Sequence, residues 1–260
     1  MSNTEHTAPT ILSNNYRLPF LQGGFPTYGV MPEVLDQMVH IDASRNILYF
    51  EVPKAGCSGI KKYMISMAGG NSEFGTSPQL VHDRRISPLR SPSQYPIDQW
   101  FRLMHGEGKR FTFVRNPYAR IISAYLDKFF GEEATYHNQL LGFPPDHKMT
   151  LKQLLYSLMQ IADHHRDIHF MSQDYLTGSG SIKFDLIGQL ENFNLYFRLI
   201  SRKFYFDSTP DMKNLIEFGR HHSTKSSEYI LDQEEIDLIS CIYANDFKRF
   251  GYFLLGPVSN

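Results

Sequence analysis

Two short stretches limit what this chain can become more than anything else in it: Pro53-Lys54-Ala55-Gly56-Cys57-Ser58, and Arg115-Asn116-Pro117-Tyr118-Ala119-Arg120 followed by Ser123. Each comes straight after a short apolar, β-prone run, residues 47–52 and 111–114. Each then opens into a stretch of helical periodicity. Ile60, Met64 and Met67 share one face of the first, and Ile121, Ile122, Tyr125 and Phe129 share one face of the second. A strand that turns directly into a helix aims backbone N–H groups and the positive helix end at whatever lies in the turn. With Lys54, Ser58 and Arg115 at these turns, the expected occupant is anionic.

Further along, residues 184–187 read as another strand, followed by a helix over about 192–203. Thr150 with Gln153 is a capping-box signature ahead of a helix over 151–161. Asp232 with Glu235 opens a last helix whose Ile236, Ile239, Ile242 and Tyr243 face inward, with Gly251 as its stop. Strands alternating with helices predict an α/β fold, a three-layer sandwich around a mostly parallel sheet. Its 260 residues suffice for one such domain. The first forty, rich in Pro, Gly, Asn and Thr, are expected to form an irregular arm (1–40), leaving 41–256 as the domain. Residues 69–98, rich in Ser, Pro, Gly and Arg, read as a long connection of the kind that often carries function.

Net charge is −1, so the chain as a whole does not attract polyanions, and no nucleic-acid partner is expected. The cations are instead local: Lys54, Lys61, Lys62, Arg115, Arg120 and Lys128 fall in or just after the two motifs. Cys57 and Cys241 are the only cysteines, too few for a disulfide framework. Residues 1–15 lack the apolar core of a signal peptide, and no window approaches a membrane span. The expected compartment is therefore the cytoplasm. The sequence carries no signal for oligomeric state.

Gly56 permits a backbone conformation that other residues avoid and lets an anion come close. The N–H groups after it form the cradle, Lys54 adds charge at its mouth, and Ser58 adds a hydroxyl. This is not a nucleoside-triphosphate loop of the Walker type, in which Lys follows the last Gly and a hydroxyl holds Mg²⁺. Here Lys54 precedes Gly56, so metal-free group transfer is favoured over a small-metabolite kinase. In the second motif Asn116 is placed as N-cap and Pro117 as first helical residue. Arg120 and Ser123 lie three apart on one face, a fork and a hydroxyl suited to a terminal phosphate.

These motifs make the chain resemble sulfotransferases of the family 2 type, the group that includes the chondroitin, dermatan and HNK-1 carbohydrate enzymes. Pro53-Lys54-x-Gly56-Cys57-Ser58 is similar to that family's 5′-phosphosulfate loop. Arg115-Asn116-Pro117-x-x-Arg120-x-x-Ser123-Ala124-Tyr125 is similar to its 3′-phosphate motif, with Asn116 where Asp is usual. Phe184-Asp185-Leu186-Ile187-Gly188-x-Leu190-Glu191 and Tyr243-x-x-Asp246-Phe247-x-x-Phe250-Gly251-Tyr252 resemble family segments too. The Golgi members carry a membrane anchor and paired cysteines, and neither feature is found here.

The resemblance implies a sulfotransferase fold with a P-loop-like site, 3′-phosphoadenosine-5′-phosphosulfate (PAPS) as donor, and a carbohydrate or other hydroxyl-bearing acceptor. Lys54, Ala55, Gly56, Cys57, Ser58 and Gly59 would hold the 5′ end, with Lys54 catalytic, and Arg115 and Ser123 would hold the 3′-phosphate. A non-catalytic protein binding the desulfated nucleotide (PAP) is the alternative from another class. An alcohol acceptor also needs a general base. His82 and His105, between the motifs, are the expected candidates, ahead of the cluster His164, His165 and His169. Asp167-x-His169-Phe170-x-x-Gln173 loosely resembles a His-aromatic segment of the carbohydrate enzymes. His165 and His169 lie four apart, but with no companion Cys or acidic motif no metal is expected. Residues 220–225 read as a polar loop able to close over the nucleotide.

Overall fold

The computed structural model describes residues 27–70, 80–207, 210–213 and 229–256. Helix α1 (Pro32–Met38) leads into β1 (Val39–Asp42), which turns back into β2 (Ile47–Phe50). Then come α2 (Cys57–Met67), α3 (Ile97–Arg102), β3 (Lys109–Val114), α4 (Pro117–Phe129), α5 (Ala134–Leu140), α6 (Leu151–Gln160) and α7 (Gln173–Leu176). β4 (Leu186–Gln189), α8 (Phe193–Phe204), α9 (Gln233–Ile242) and α10 (Ala244–Phe250) complete the order. The sheet runs β1-β2-β3-β4. β1 is antiparallel to β2, while β2, β3 and β4 are parallel. This is the mostly parallel α/β sheet, flanked by helices, that the strand–turn–helix units predict. Among the described residues no helix is long and apolar enough to cross a membrane.

Every residue of β2 is buried, as expected of a strand covered on both faces. One apolar cluster joins the sheet to α1, α2 and α8; a second is built from α4, α6, α9 and α10. The caps expected from sequence form. Asn116 Oδ1 accepts from the N–H of Tyr118 at 3.0 Å, and Thr150 and Asp232 each close a capping box. The expected last helix is two, broken at Tyr243, whose φ of −112° and ψ of 27° leave the helical region.

Two expectations change. Residues 32–38 are helical and place Val34, Leu35 and Met38 in the core, so the arm does not extend to residue 40. β1 was not expected, since its first residues fall in the span read as the arm, and alternation of His40 and Asp42 with apolar neighbours would in any case predict a polar face. All four residues are in fact buried, since the polar pair finds partners inside. Asp42 accepts from Ser44 and Arg45 in the hairpin turn. His40 Nδ1 lies 2.8 Å from Arg84, and its Nε2 lies 2.6 Å from Glu51. Lys61 donates to both oxygens of Glu51 at 3.0 and 2.9 Å.

His40 gives this network a pH signature. Burial, then the Arg84 charge, depress its pKa to about 3, although Glu51 pulls the other way. The unfolded chain takes up the proton near pH 6.5, so His40's contribution is full above that pH and is lost as pH falls toward the folded value. The expected loss is about 2 kcal/mol between pH 7 and pH 5, at roughly 1.4 kcal/mol per unit. Urea unfolding of wild type against His40→Gln isolates it: their stability difference should shrink by that amount over this range. A difference that does not change with pH contradicts the assignment.

Candidate functional site

β2 and β3 end side by side, and both motifs leave the sheet at that edge. After β2 the chain makes a tight turn in which Lys54 and Gly56 both take positive φ, 68° and 85°. For glycine this is free, but for lysine it costs roughly 1–2 kcal/mol. Strain of that kind concentrates at functional turns. A Cβ on Gly56 would also come within 2.9 Å of Leu190. Gly56 is the N-cap of α2 and offers no side chain to its first turn, so the N–H groups of Cys57, Ser58 and Gly59 are donors without a helical partner. Such a set suits phosphate oxygens. Ala55 does not join them: it is buried, and its N–H donates to the Val52 carbonyl at 3.2 Å.

The second motif is tied to this turn directly. Arg115 donates to the Lys54 carbonyl at 3.3 Å, and Arg120 Nε donates to the Pro53 carbonyl at 3.0 Å. The two strand ends therefore meet at one place. Arg120 is 2% exposed and also donates to the Met171 carbonyl at 2.8 Å, which makes it the bolt between loops. Ser123 lies on α4, largely buried. Glu191 accepts from the N–H of Asn116 at 2.7 Å, so the segment after β4 holds the second motif in place.

A third segment joins them. Gln173 pairs with both backbone groups of Arg115, each at 2.8 Å. Asp246 on α10 accepts from the N–H groups of Gln173 and Asp174 at 3.0 and 2.7 Å. The Tyr243 hydroxyl donates to the Phe170 carbonyl at 2.9 Å. The C-terminal helices thus fix residues 170–174 against the site, and His169 with them. Its Nδ1 is 2.7 Å from Asp167 Oδ1, which assigns the proton to that nitrogen and leaves Nε2 a free lone pair. Burial depresses the pKa of His169, outweighing Asp167, and the charges of Lys128 and Lys54 act in the same direction. Burial alone would raise Asp167, but His169 brings it down to about 2. The imidazole is 23% exposed, oriented by a carboxylate, and within electrostatic reach of Lys54.

The two histidines expected as base stand otherwise. His82 is at the turn after β2, with Nε2 3.0 Å from Ser58 Oγ and Nδ1 2.5 Å from Lys61 Nζ. An ammonium can only donate, so Nδ1 accepts and Nε2 carries the hydrogen toward Ser58. In that tautomer it orients the Ser58 hydroxyl and has no lone pair for an acceptor. Burial, then Lys61, push its pKa down to about 4. His105 is not brought to the site. It precedes β3, at the end of that strand opposite Arg115, and bonds the Tyr28 hydroxyl at 3.1 Å. The sequence signal for His169 is its Asp two residues before and Gln four after, the segment that resembles the carbohydrate enzymes.

Lys54 Nζ lies 3.3 Å from Asp127 Oδ2, and Lys128 lies 3.4 Å from the same oxygen. Burial would raise Asp127, but these two cations keep its pKa below the usual carboxylate value. Burial, then Glu51, push the Cys57 thiol up to about 12, so it is no nucleophile. The polar loop at 220–225 lies outside the described residues.

The sequence pattern of the family described as "Sulfotransferase family" matches residues 37–253. Human carbohydrate sulfotransferase 9 is 25% identical over 269 residues, covering 91% of this chain and 59% of its own. Rat carbohydrate sulfotransferase 10 is 26% identical over 257 residues, covering 84% of this chain and 67% of its own. Carbohydrate sulfotransferase 10 of Xenopus laevis is 34% identical over a shorter stretch, 37% of this chain and 27% of its own. The chain thus spans roughly three fifths of the first of these relatives. No solved structure matches it.

Proposed function

Because this chain belongs to the sulfotransferase family, we propose that it moves a sulfuryl group from PAPS to a hydroxyl of a carbohydrate acceptor. The observation that carries the reading is the pair of bonds from Arg115 and Arg120 to the carbonyls of Lys54 and Pro53. They bring both turns to one end of the sheet, as a nucleotide phosphorylated at both ends would require. The orphan donors of Cys57, Ser58 and Gly59 fit a 5′-phosphosulfate, and Arg115 with Ser123 fits the 3′-phosphate.

When bound, PAPS supplies a sulfuryl group whose bond to the 5′-phosphate breaks as a bond to the acceptor oxygen forms. Lys54 neutralises the charge left on the 5′-phosphate, after exchanging its contact with Asp127. Ser58, oriented by His82, adds a hydrogen bond at the same turn. His169 Nε2 takes the acceptor's proton, and Asp167 steadies the imidazolium that results. Most of the catalysis is positioning and charge stabilisation, by analogy with phosphoryl transfer. The carbohydrate acceptor is argued from the names of the relatives.

The test is incubation with ³⁵S-labelled PAPS and a panel of glycans, followed by isolation of labelled product. Label on a glycan hydroxyl is expected. PAP binding without label on any acceptor would favour a non-catalytic nucleotide-binding protein. Preference for ATP·Mg²⁺ over PAP would favour the kinase, which the position of Lys54 before Gly56 argues against.

A further inference from the structure

One ring nitrogen beside the proposed base has no hydrogen-bond partner. His137 on α5 is 3% exposed, and its ring is held edge-on between Phe129 and Phe170, with centroids 5.9 and 6.3 Å away. Its Nδ1 lies 3.0 Å from the Glu133 carbonyl, which can only accept, so Nδ1 carries the hydrogen. Its Nε2 is therefore a bare lone pair. That atom is buried without a hydrogen-bond partner and faces Asp167 Oδ2 at 4.0 Å. A lone pair aimed at a carboxylate oxygen is two acceptors with no donor between them, an arrangement that burial makes costly. A cation between them removes the conflict.

The third group is already present. Ligand atoms of His137, Asp167 and His169 lie within 4.8 Å of one another. Two imidazoles and one carboxylate form a donor set of the zinc class, and metal–ligand distances of about 2.0–2.2 Å for nitrogen and oxygen require the three groups to close in around the ion. A cavity of about 60 Å³ adjoins it, lined by His137, Asp167, His165 and Phe170 among others. It offers a route for an ion and room for a water as fourth ligand. The pair singled out in the sequence, His165 with His169, is not this set: His137 stands some thirty positions earlier and meets Asp167 only through the fold.

We propose that His137 Nε2, Asp167 and His169 Nδ1 bind one zinc-class divalent ion, and that its binding switches off His169 as a base. The second half rests on the role given to His169 above. With Nδ1 on the metal, the proton it carried moves to Nε2, so the nitrogen that accepts a proton from the acceptor becomes a donor. No net proton is gained or lost, and no redox change is involved.

Calorimetry with Zn²⁺ and absorption spectra with Co²⁺, both on the whole chain, read the site without any sulfuryl transfer. One ion per chain is expected, with visible bands of low-symmetry Co²⁺ and affinity at least 100-fold weaker in both His137→Gln and Asp167→Asn. Two variants on different elements, each checked for cooperative unfolding, keep a folding defect from imitating the result. Absence of binding to wild type, or wild-type affinity in either variant, overturns the site and leaves the proposed transferase activity untouched. In the labelled-PAPS assay, Zn²⁺ should inhibit wild type at the calorimetric affinity, reversibly by chelator. Tight binding without inhibition overturns the switch. Failure of wild type to transfer sulfuryl even in chelator falls on the proposed function instead, and the binding data still decide the site.

Discussion

Replacing His169 by alanine lowers sulfuryl transfer by roughly 10²- to 10⁴-fold, the range for a positioned general base, while PAP affinity stays within a few-fold. The expectation follows from which nitrogen is free. Asp167 holds the Nδ1 hydrogen at 2.7 Å, so Nε2 is the acceptor, and the C-terminal helices fix the backbone that carries the ring. Added imidazole should restore part of the lost rate in His169→Ala, because the missing group is a base and the remaining cleft is intact. His82→Ala should fall less and respond little to imidazole, since it loses only the partner that orients Ser58. A His169→Ala protein with near wild-type turnover would remove the imidazole from the mechanism.

The second large effect is on folding. Arg120→Met should destabilise the chain by about 2–5 kcal/mol, from two buried carbonyls left unpaired at about 1–3 kcal/mol each. Arg120 is fully enclosed and serves two carbonyls, Pro53 and Met171, that have no route to water once the guanidinium is gone. Those carbonyls belong to the phosphate turn and to the segment that carries His169, so the same substitution should loosen both. Urea unfolding gives the stability, and PAP affinity measured at a temperature where the variant is folded gives the local effect. A loss under 1 kcal/mol with unaltered nucleotide affinity would mean that the turns are held together by something else.

How much of this could be read from the sequence varied with the range of the interaction. The strand–turn–helix units were legible because each is local: an apolar run, then Gly56 or Pro117, then helical spacing. The caps at Asn116, Thr150 and Asp232 were legible for the same reason. β1 was hidden because the burial of His40 depends on Arg84 and Glu51, neither of which is adjacent in the chain. The choice among histidines met the same limit. His82 and His105 occupy a connection that looks functional, yet one is committed to Lys61 and Ser58 and the other lies at the far end of β3. His169 stood behind them in the sequence because the contacts that carry its segment to Arg115, through Gln173, Tyr243 and Asp246, are all long-range. Arg120 looked like a phosphate ligand by spacing, and only its burial reveals it as the tie between the turns.

The account depends on one nucleotide being held at both ends, and calorimetry with two ligands tests that directly. PAP carries both phosphates, whereas 5′-AMP lacks the one assigned to Arg115. Arg115→Ala should weaken PAP by roughly 10- to 150-fold, the value of a charged hydrogen bond, and leave 5′-AMP almost unchanged. Lys54→Ala should weaken both. If Arg115→Ala leaves PAP affinity intact, or weakens both ligands alike, the two turns do not grip opposite ends of one donor.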